Sequence, residues 1–232
     1  MGRLLVEELA LSPHSLSGGV GRQGDLRPLA GNSDVVIDFT NAATVTAHAT
    51  ILAEAGVAWV LGSSGLSTAE EAAVRAAAQR IPVVYAANFA PGVNLVLALA
   101  ERLAAALPAE SYDAEILEMH HRQKADAPSG TAIALGRAVA AGRGVKLEDV
   151  MVHARQGATG ARPDGAIGFA ALRGGQVVGE HSLIFAAGAE HITLSHRAFD
   201  RRAYATGALR AAAWAAAQSP GLYSMINVLE IA

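Results

Sequence analysis

Residues 35–65 read VVIDFTNAATVTAHATILAEAGVAWVLGSSG, and this stretch decides the fold of the first half of the chain. Val35-Val36-Ile37-Asp38-Phe39 is a mostly apolar run of the kind buried on both faces of a sheet. Ala42 to Ala55 carries a helical pattern ending at Gly56. Val57-Ala58-Trp59-Val60-Leu61 is a second buried strand, stopped by Gly62-Ser63-Ser64-Gly65. Working outward, Ser67 followed by Glu70 is a capping-box pattern that opens the next helix. Ile81 to Ala86 is another strand, and Leu16 to Val20 a weaker one. Repeated βα units of this length predict an α/β fold: a parallel sheet with right-handed crossovers and helices on both faces.

Pro91 to Leu107 is a long apolar helix, and after it the period changes. Tyr112 to Met119, Val150 to Arg155, Ala166 to Arg173, Gln176 to Phe185 and His191 to His196 read as strands. The helix from Ser129 to Ala141 interrupts them, and Gly174-Gly175 carries a hairpin signal. A mixed sheet in an α+β domain is expected here. Arg201 to Gln218 is helical again, and Leu222 to Leu229 is a short tail.

The bulk composition narrows the function. Hydrophobic residues make up 52% and charged residues 17% of the 232, which favours a compact fold over disorder. A net charge of −3 gives no support for a nucleic-acid or membrane-surface partner. No apolar run reaches the ~18 residues of a membrane span, and Met1-Gly2-Arg3 opens no secretory signal. With no cysteine, disulfides and thiolate catalysis are excluded, and a cytoplasmic location is expected. Of the 18 basic residues only Lys124 and Lys146 are lysine. A lysine can give up its proton where arginine stays charged, so Lys124 beside two histidines is informative.

Ligands of an open parallel sheet bind outside the carboxyl ends of its strands. Phe39-Thr40, Gly62-Ser63-Ser64-Gly65 and Ala87-Asn88-Phe89 fall at such ends. Small residues there let a flat ring and its amide approach the backbone, although each loop alone also reads as an ordinary βα turn. The reactive groups lie in the second half. His120 and His121 sit where a strand enters a loop and point to opposite sides. Ser129-Gly130-Thr131 opens a helix whose N–H groups suit a carboxylate, and Lys124 can reach the same place. His153, His181, His191 and His196 read as ordinary core or surface residues. No zinc-type spacing accompanies the histidine pair, so no metal is expected.

The run His120-His121-Arg122-Gln123-Lys124-Ala125-Asp126-Ala127-Pro128-Ser129-Gly130-Thr131 resembles the signature of the dihydrodipicolinate (4-hydroxy-tetrahydrodipicolinate) reductase family. Val36 to Thr40, Gly62 to Gly65, Ala86 to Phe89, Gly92-Val93-Asn94, Arg155 to Gly160, Val177 to His181 and Ser195 to Ala198 extend the likeness along nearly the whole chain. The resemblance implies a Rossmann-type dinucleotide-binding domain over 1–90 and 208–232, and a substrate and oligomerisation domain over 91–207. It implies NADPH- or NADH-dependent reduction of a cyclic dicarboxylic imine in lysine and diaminopimelate biosynthesis. His120 would be the proton donor assisted by Lys124, with His121, Gly130 and Thr131 on a substrate carboxylate. The cofactor would lie against Met1, Arg22, Phe39, Thr40, Gly62, Ser63, Ser64, Ala86, Ala87, Asn88 and Phe89. A homotetramer formed through the second sheet is also implied.

The sequence departs from the family at its start. Met1-Gly2-Arg3-Leu4-Leu5 matches only the end of the Gly-x-x-Gly-Arg-Met-Gly turn and the following helix, without the first strand. A missing central strand would leave two unpaired edges inside the sheet and remove N–H groups that meet the phosphates. Weak NADPH binding by this form is therefore expected. After the weak strand the usual acid is replaced by Gly21-Arg22, which inclines the reading towards NADPH. An N-terminally shortened, non-catalytic dicarboxylate-binding or assembly protein is the alternative.

Overall fold

The computed structural model describes residues 1–21, 24–153 and 155–231. The chain forms two compact units, Met1–Pro91 with Arg201–Ala232, and Gly92–Asp200. In chain order the elements of the first part are α1 (Gly2–Leu9), α2 (Arg27–Ala30), β1 (Val35–Asp38), α3 (Val45–Ala55), β2 (Ala58–Leu61), α4 (Thr68–Ala78), β3 (Pro82–Tyr85) and α5 (Pro91–Ala106). A short 3-10 turn, Ala42–Thr44, leads into α3. Then come β4 (Asp113–His120), α6 (Gly130–Gly142), α7 (Leu147–Val150), β5 (Met151–Val152), β6 (Ile167–Arg173), β7 (Gly179–Ala186) and β8 (His191–Ala198). The chain ends with α8 (Arg202–Ala215), β9 (Gly221–Tyr223) and α9 (Met225–Leu229).

The first unit holds a parallel four-stranded sheet in the order β1-β2-β3-β9. Strand β2 is apolar throughout because both its faces are covered. Trp59 and Leu61 pack with Val45, Leu52 and Val74 of α3 and α4. Ala58 and Val60 pack with Ala208, Ala211 and Met225 of α8 and α9. Each fully buried leucine such as Leu52 or Leu61 contributes about 1.5–3 kcal/mol. The Ser67 capping box forms as expected, with Glu70 N–H donating to Ser67 Oγ and Ser67 N–H to Glu70 Oε2.

Four expectations about this sheet need correction. Leu16 to Val20 is not a strand; its Gly18-Gly19 pair offers no side chains to pack on a sheet, and Leu29 sits against Gly18. Consequently the sheet has no internal gap among the described residues: it ends at β1, whose Val35, Val36 and Ile37 are only half-buried. The Leu222 to Leu229 tail is a strand and a capped helix, with β9 completing the sheet beside β3. The chain re-enters this unit at Arg201 rather than 208, because α8 packs on β1, β2 and β3 and on α1.

The second unit holds a mixed five-stranded sheet in the order β5-β6-β4-β7-β8. Strands β5, β6 and β4 run parallel, and β7 and β8 are antiparallel to their neighbours. Gly174-Gly175 is therefore not a hairpin. Strand β4 lies between β6 and β7, and the connection passes over its end, with Gly174 N–H donating to His120 O and Arg122 N–H to Gly175 O. A glycine pair sets a tight turn but says nothing about an inserted strand. The strand expected over Val150 to Arg155 shortens to Met151–Val152. One face of the sheet packs Ala114, Ile116, Leu183 and Phe185 against Leu135 and Val139 of α6. The other face exposes Leu117 and Leu172, at 38% and 49%.

Candidate active site

Along the covered face of β4 every second residue points inward, and the chemistry changes partway. Ala114 and Ile116 belong to the apolar core; Glu118 and His120 continue the same face as polar groups. Strand register brings His181 of β7 opposite Glu118, and Arg173 of β6 opposite His120. A hydrophobic sheet face thus becomes a charged cluster at the carboxyl end of β4.

Glu118 is 1% exposed and is the hub of that cluster. Its Oε2 accepts from His120 Nδ1 at 2.6 Å and from Arg173 at 2.8 Å. Its Oε1 accepts from the second Arg173 nitrogen at 2.8 Å and from Ser129 N–H at 3.1 Å. Burial alone would raise the Glu118 pKa, but hydrogen bonds from Arg173 and His120 outweigh it and hold the carboxyl below its ordinary value. Arg173 also donates to Asp126 O, tying β6 to the loop after His121.

Ser129 caps α6: its Oγ accepts from Ala132 N–H at 3.2 Å and lies 3.0 Å from His181 Nε2. The His181 ring meets that of His120 edge-on, with centroids 5.1 Å apart. Burial, then the neighbouring His120, lower the His181 pKa to about 4, so this imidazole is neutral at pH 7. His181 is therefore part of the cluster, not an ordinary core histidine.

The remaining expected residues surround this core. His121 follows β4 directly, and its Nδ1 is buried without a partner. Lys124 Nζ donates to both oxygens of Asp126 at 2.8 Å, in a turn closed by Lys124 N–H to His121 O. Gly130 and Thr131 form the first turn of α6. A Cβ at Gly130 would meet nothing within 4 Å, so packing does not require glycine there and the helix end is open to a ligand.

The residues expected for a nicotinamide cofactor lie at the carboxyl ends of β1, β2 and β3. Asp38 is buried, accepting from Thr40 N–H at 3.0 Å and Thr40 Oγ1 at 2.6 Å, and pairing with His48 Nδ1 at 2.7 Å. Burial would raise its pKa, yet the bonds from His48 and Thr40 hold it below the usual value. Gly62 is small for a different reason than expected: a Cβ there would overlap the Phe39 ring, which itself packs edge-on against Phe89 at 5.4 Å. Phe89 is buried in the core, with its carbonyl against Gly207 of α8. Ser64, Ala87 and Thr40 are exposed, and Ala86 half-buried. Asn88 Oδ1 accepts from Ala90 N–H. Ser63 Oγ is buried without a partner, an orphaned group that fits a cofactor amide. Met1 is the N-cap of α1 and makes no side-chain cap bond. Arg22 lies outside the described residues.

Glu118, Arg173 and His181 join the candidate site, and sequence reading assigned them no role in it. The spacing of Glu118 and His120 on a strand already puts both on one face; Arg173 and His181 needed the register. Among the described residues, no group of three or more His, Asp or Glu could hold a metal ion, and no helix is long and apolar enough to cross a membrane.

Comparison with known proteins gives the same chemistry a lineage. Family models for the dihydrodipicolinate reductase N-terminus and C-terminus match residues 3–89 and 92–229. The 4-hydroxy-tetrahydrodipicolinate reductase of Granulibacter bethesdensis is 63% identical over 242 residues, covering 99% of this chain and 92% of the relative. That of Acidiphilium cryptum is also 63% identical, over 99% of this chain and 93% of the relative. A dipicolinate-bound dihydrodipicolinate reductase from Paenisporosarcina sp. TG-14 shares the fold at a TM-score of 0.72 and 24% identity, over 97% of this chain and 84% of its own. On these matches, spanning both units, the chain belongs to the dihydrodipicolinate reductase family.

Proposed function

We propose that this protein reduces 4-hydroxy-tetrahydrodipicolinate (dihydrodipicolinate) to tetrahydrodipicolinate in the cytoplasmic synthesis of diaminopimelate and lysine. The observation that carries this reading is the cluster at the end of β4. It places a carboxylate-anchored histidine, a lysine and an open helix N-terminus side by side in a member of this family. Nothing favours the shortened, non-catalytic alternative.

Reductases of this family use a nicotinamide cofactor, and we favour NADPH on the strength of Arg22 in the sequence. Bound NADPH would supply a hydride; Met1 at the start of α1, Phe39, Thr40, Gly62, Ser63, Ser64 and Ala86 to Phe89 would hold it. The N–H groups opening α1 suit a phosphate, and Ser63 Oγ would gain the partner it lacks. Gly130, Thr131 and His121 bind one substrate carboxylate at the positive end of α6. His120 delivers a proton from Nε2 to the reduced ring, and Lys124 offsets the negative charge that develops there. The exposed face carrying Leu117 and Leu172 supports assembly through the second sheet, and we propose a homotetramer.

The test is turnover with the imine made by the preceding aldol condensation, following loss of the reduced nicotinamide with NADPH and with NADH. Reduction dependent on the imine, faster with NADPH at limiting cofactor, is expected. No reduction with either cofactor would overturn the reading, and a preference for NADH would overturn the cofactor assignment.

A further inference from the structure

We propose that Glu118 is the positioning residue for His120: it keeps a proton on Nδ1, so that Nε2 is the atom that takes a proton from solvent and, from the resulting imidazolium, gives it to the reduced ring, which returns His120 to the Nδ1–H form. The inference rests on the reading of His120 as proton donor. Its physical basis is separate.

An ionised carboxylate only accepts hydrogen bonds. The 2.6 Å contact between Glu118 Oε2 and His120 Nδ1 therefore requires the proton on Nδ1. Nε2 then carries the lone pair in the neutral ring. It lies beside Gly179, where a Cβ would come within 3.1 Å of it. Side groups hold the ring in this state. Arg173 forks across both Glu118 oxygens and keeps the buried carboxylate ionised; His181 packs edge-on as a neutral wall. Glu118 Oε1 also accepts from Ser129 N–H, one residue before Gly130. One rigid carboxylate thus locates the proton donor relative to the helix end proposed to hold the substrate carboxylate.

The substitution Glu118→Gln makes a directional prediction. Ser129 N–H cannot change role, so the carbonyl oxygen of the introduced amide serves it and one Arg173 nitrogen, and the amide NH2 faces His120 and the other Arg173 nitrogen, whose bond is lost. His120 must then accept at Nδ1 and carry its proton on Nε2. The tautomer is read from side-chain 15N shifts of the histidines, with His120 assigned by its loss in His120→Gln. Wild type is expected to show Nδ1–H and Glu118→Gln to show Nε2–H.

Kinetics provide the second arm. Glu118→Gln should lower kcat by about 30-fold or more with KM changed less, because the imidazolium that donates from Nε2 then has no acceptor for its Nδ1–H. In a His120→Gln background the same change should cost under about threefold, because two residues acting as one unit are not additive. Glu118→Asp, which keeps the charge, should recover part of kcat. Should Glu118→Gln fail to fold, the wild-type tautomer and the Glu118→Asp cycle decide the matter. A wild-type Nε2–H ring, or an equal kcat loss in both backgrounds, would overturn the proposal and leave Glu118 as a structural anchor. Near-normal turnover of His120→Gln would instead overturn the donor assignment, while the tautomer shift still reports whether Glu118 holds the ring.

Discussion

At the carboxyl ends of β1, β2 and β3 the residues proposed for the cofactor offer backbone, small side chains and one unpartnered hydroxyl. At the carboxyl end of β4, His120, Arg173 and Ser129 are already bonded to one buried carboxylate, that of Glu118. The first region works by shape, and its glycine is set by its own Phe39 ring. The second works by charge, and losing one member strands its partners in a low-dielectric setting. Changes in the charged cluster should therefore cost far more than changes in the shaped one.

After His120 itself, the largest effect is expected for Lys124→Ala. Removing the fixed positive charge should lower kcat by about 10²–10³-fold while the circular dichroism melt stays near wild type. A kcat close to wild type would remove Lys124 from the mechanism and weaken the contrast.

Acid should act through His181. Its pKa is lower folded, about 4, than unfolded, near 6.5. Between those values the unfolded chain binds more protons, so stability is full above the unfolded pKa and falls as pH drops through the window. The loss is on the order of 3 kcal/mol. Urea unfolding at about pH 7 and about pH 5 should show about 2 kcal/mol of this loss in wild type and less in His181→Asn. An unchanged loss would place the acid sensitivity elsewhere.

In the shaped region Gly62→Ala should destabilise by about 1–3 kcal/mol, because the new methyl meets the Phe39 ring. Pairing it with Phe39→Leu should recover much of that loss; no recovery would mean the ring is not what excludes the methyl. Ser63→Ala is the mildest. It removes a buried hydroxyl with no partner, so stability should hold or rise, while NADPH affinity by calorimetry falls about fivefold to tenfold. Unchanged affinity would remove Ser63 from the cofactor site.

The two regions also differ in how far they can be read from sequence. Strands β1, β2 and β3 are legible because continuous apolar runs bounded by turn residues have few other solutions. Leu16 to Val20 misleads because apolar ends enclose a glycine pair with nothing to pack. At the second site, His120, His121, Lys124 and the Ser129 cap are local and visible. The carboxylate that binds His120 was visible as well, since a two-residue spacing on a strand puts both groups on one face. Arg173 and His181 could not be read this way. They reach Glu118 only because β4 inserts between β6 and β7, and the Gly174-Gly175 turn looks the same whether or not a strand intervenes. Local chemistry is written locally; its partners are set by register.

The most direct test of the account is His120→Gln, with turnover and binding of dipicolinate measured on the same preparation. The account predicts a kcat lower by about 10²–10⁴-fold, with dipicolinate affinity within about threefold of wild type because α6 still holds the carboxylate. Near-wild-type kcat, or loss of dipicolinate binding together with turnover, would contradict it.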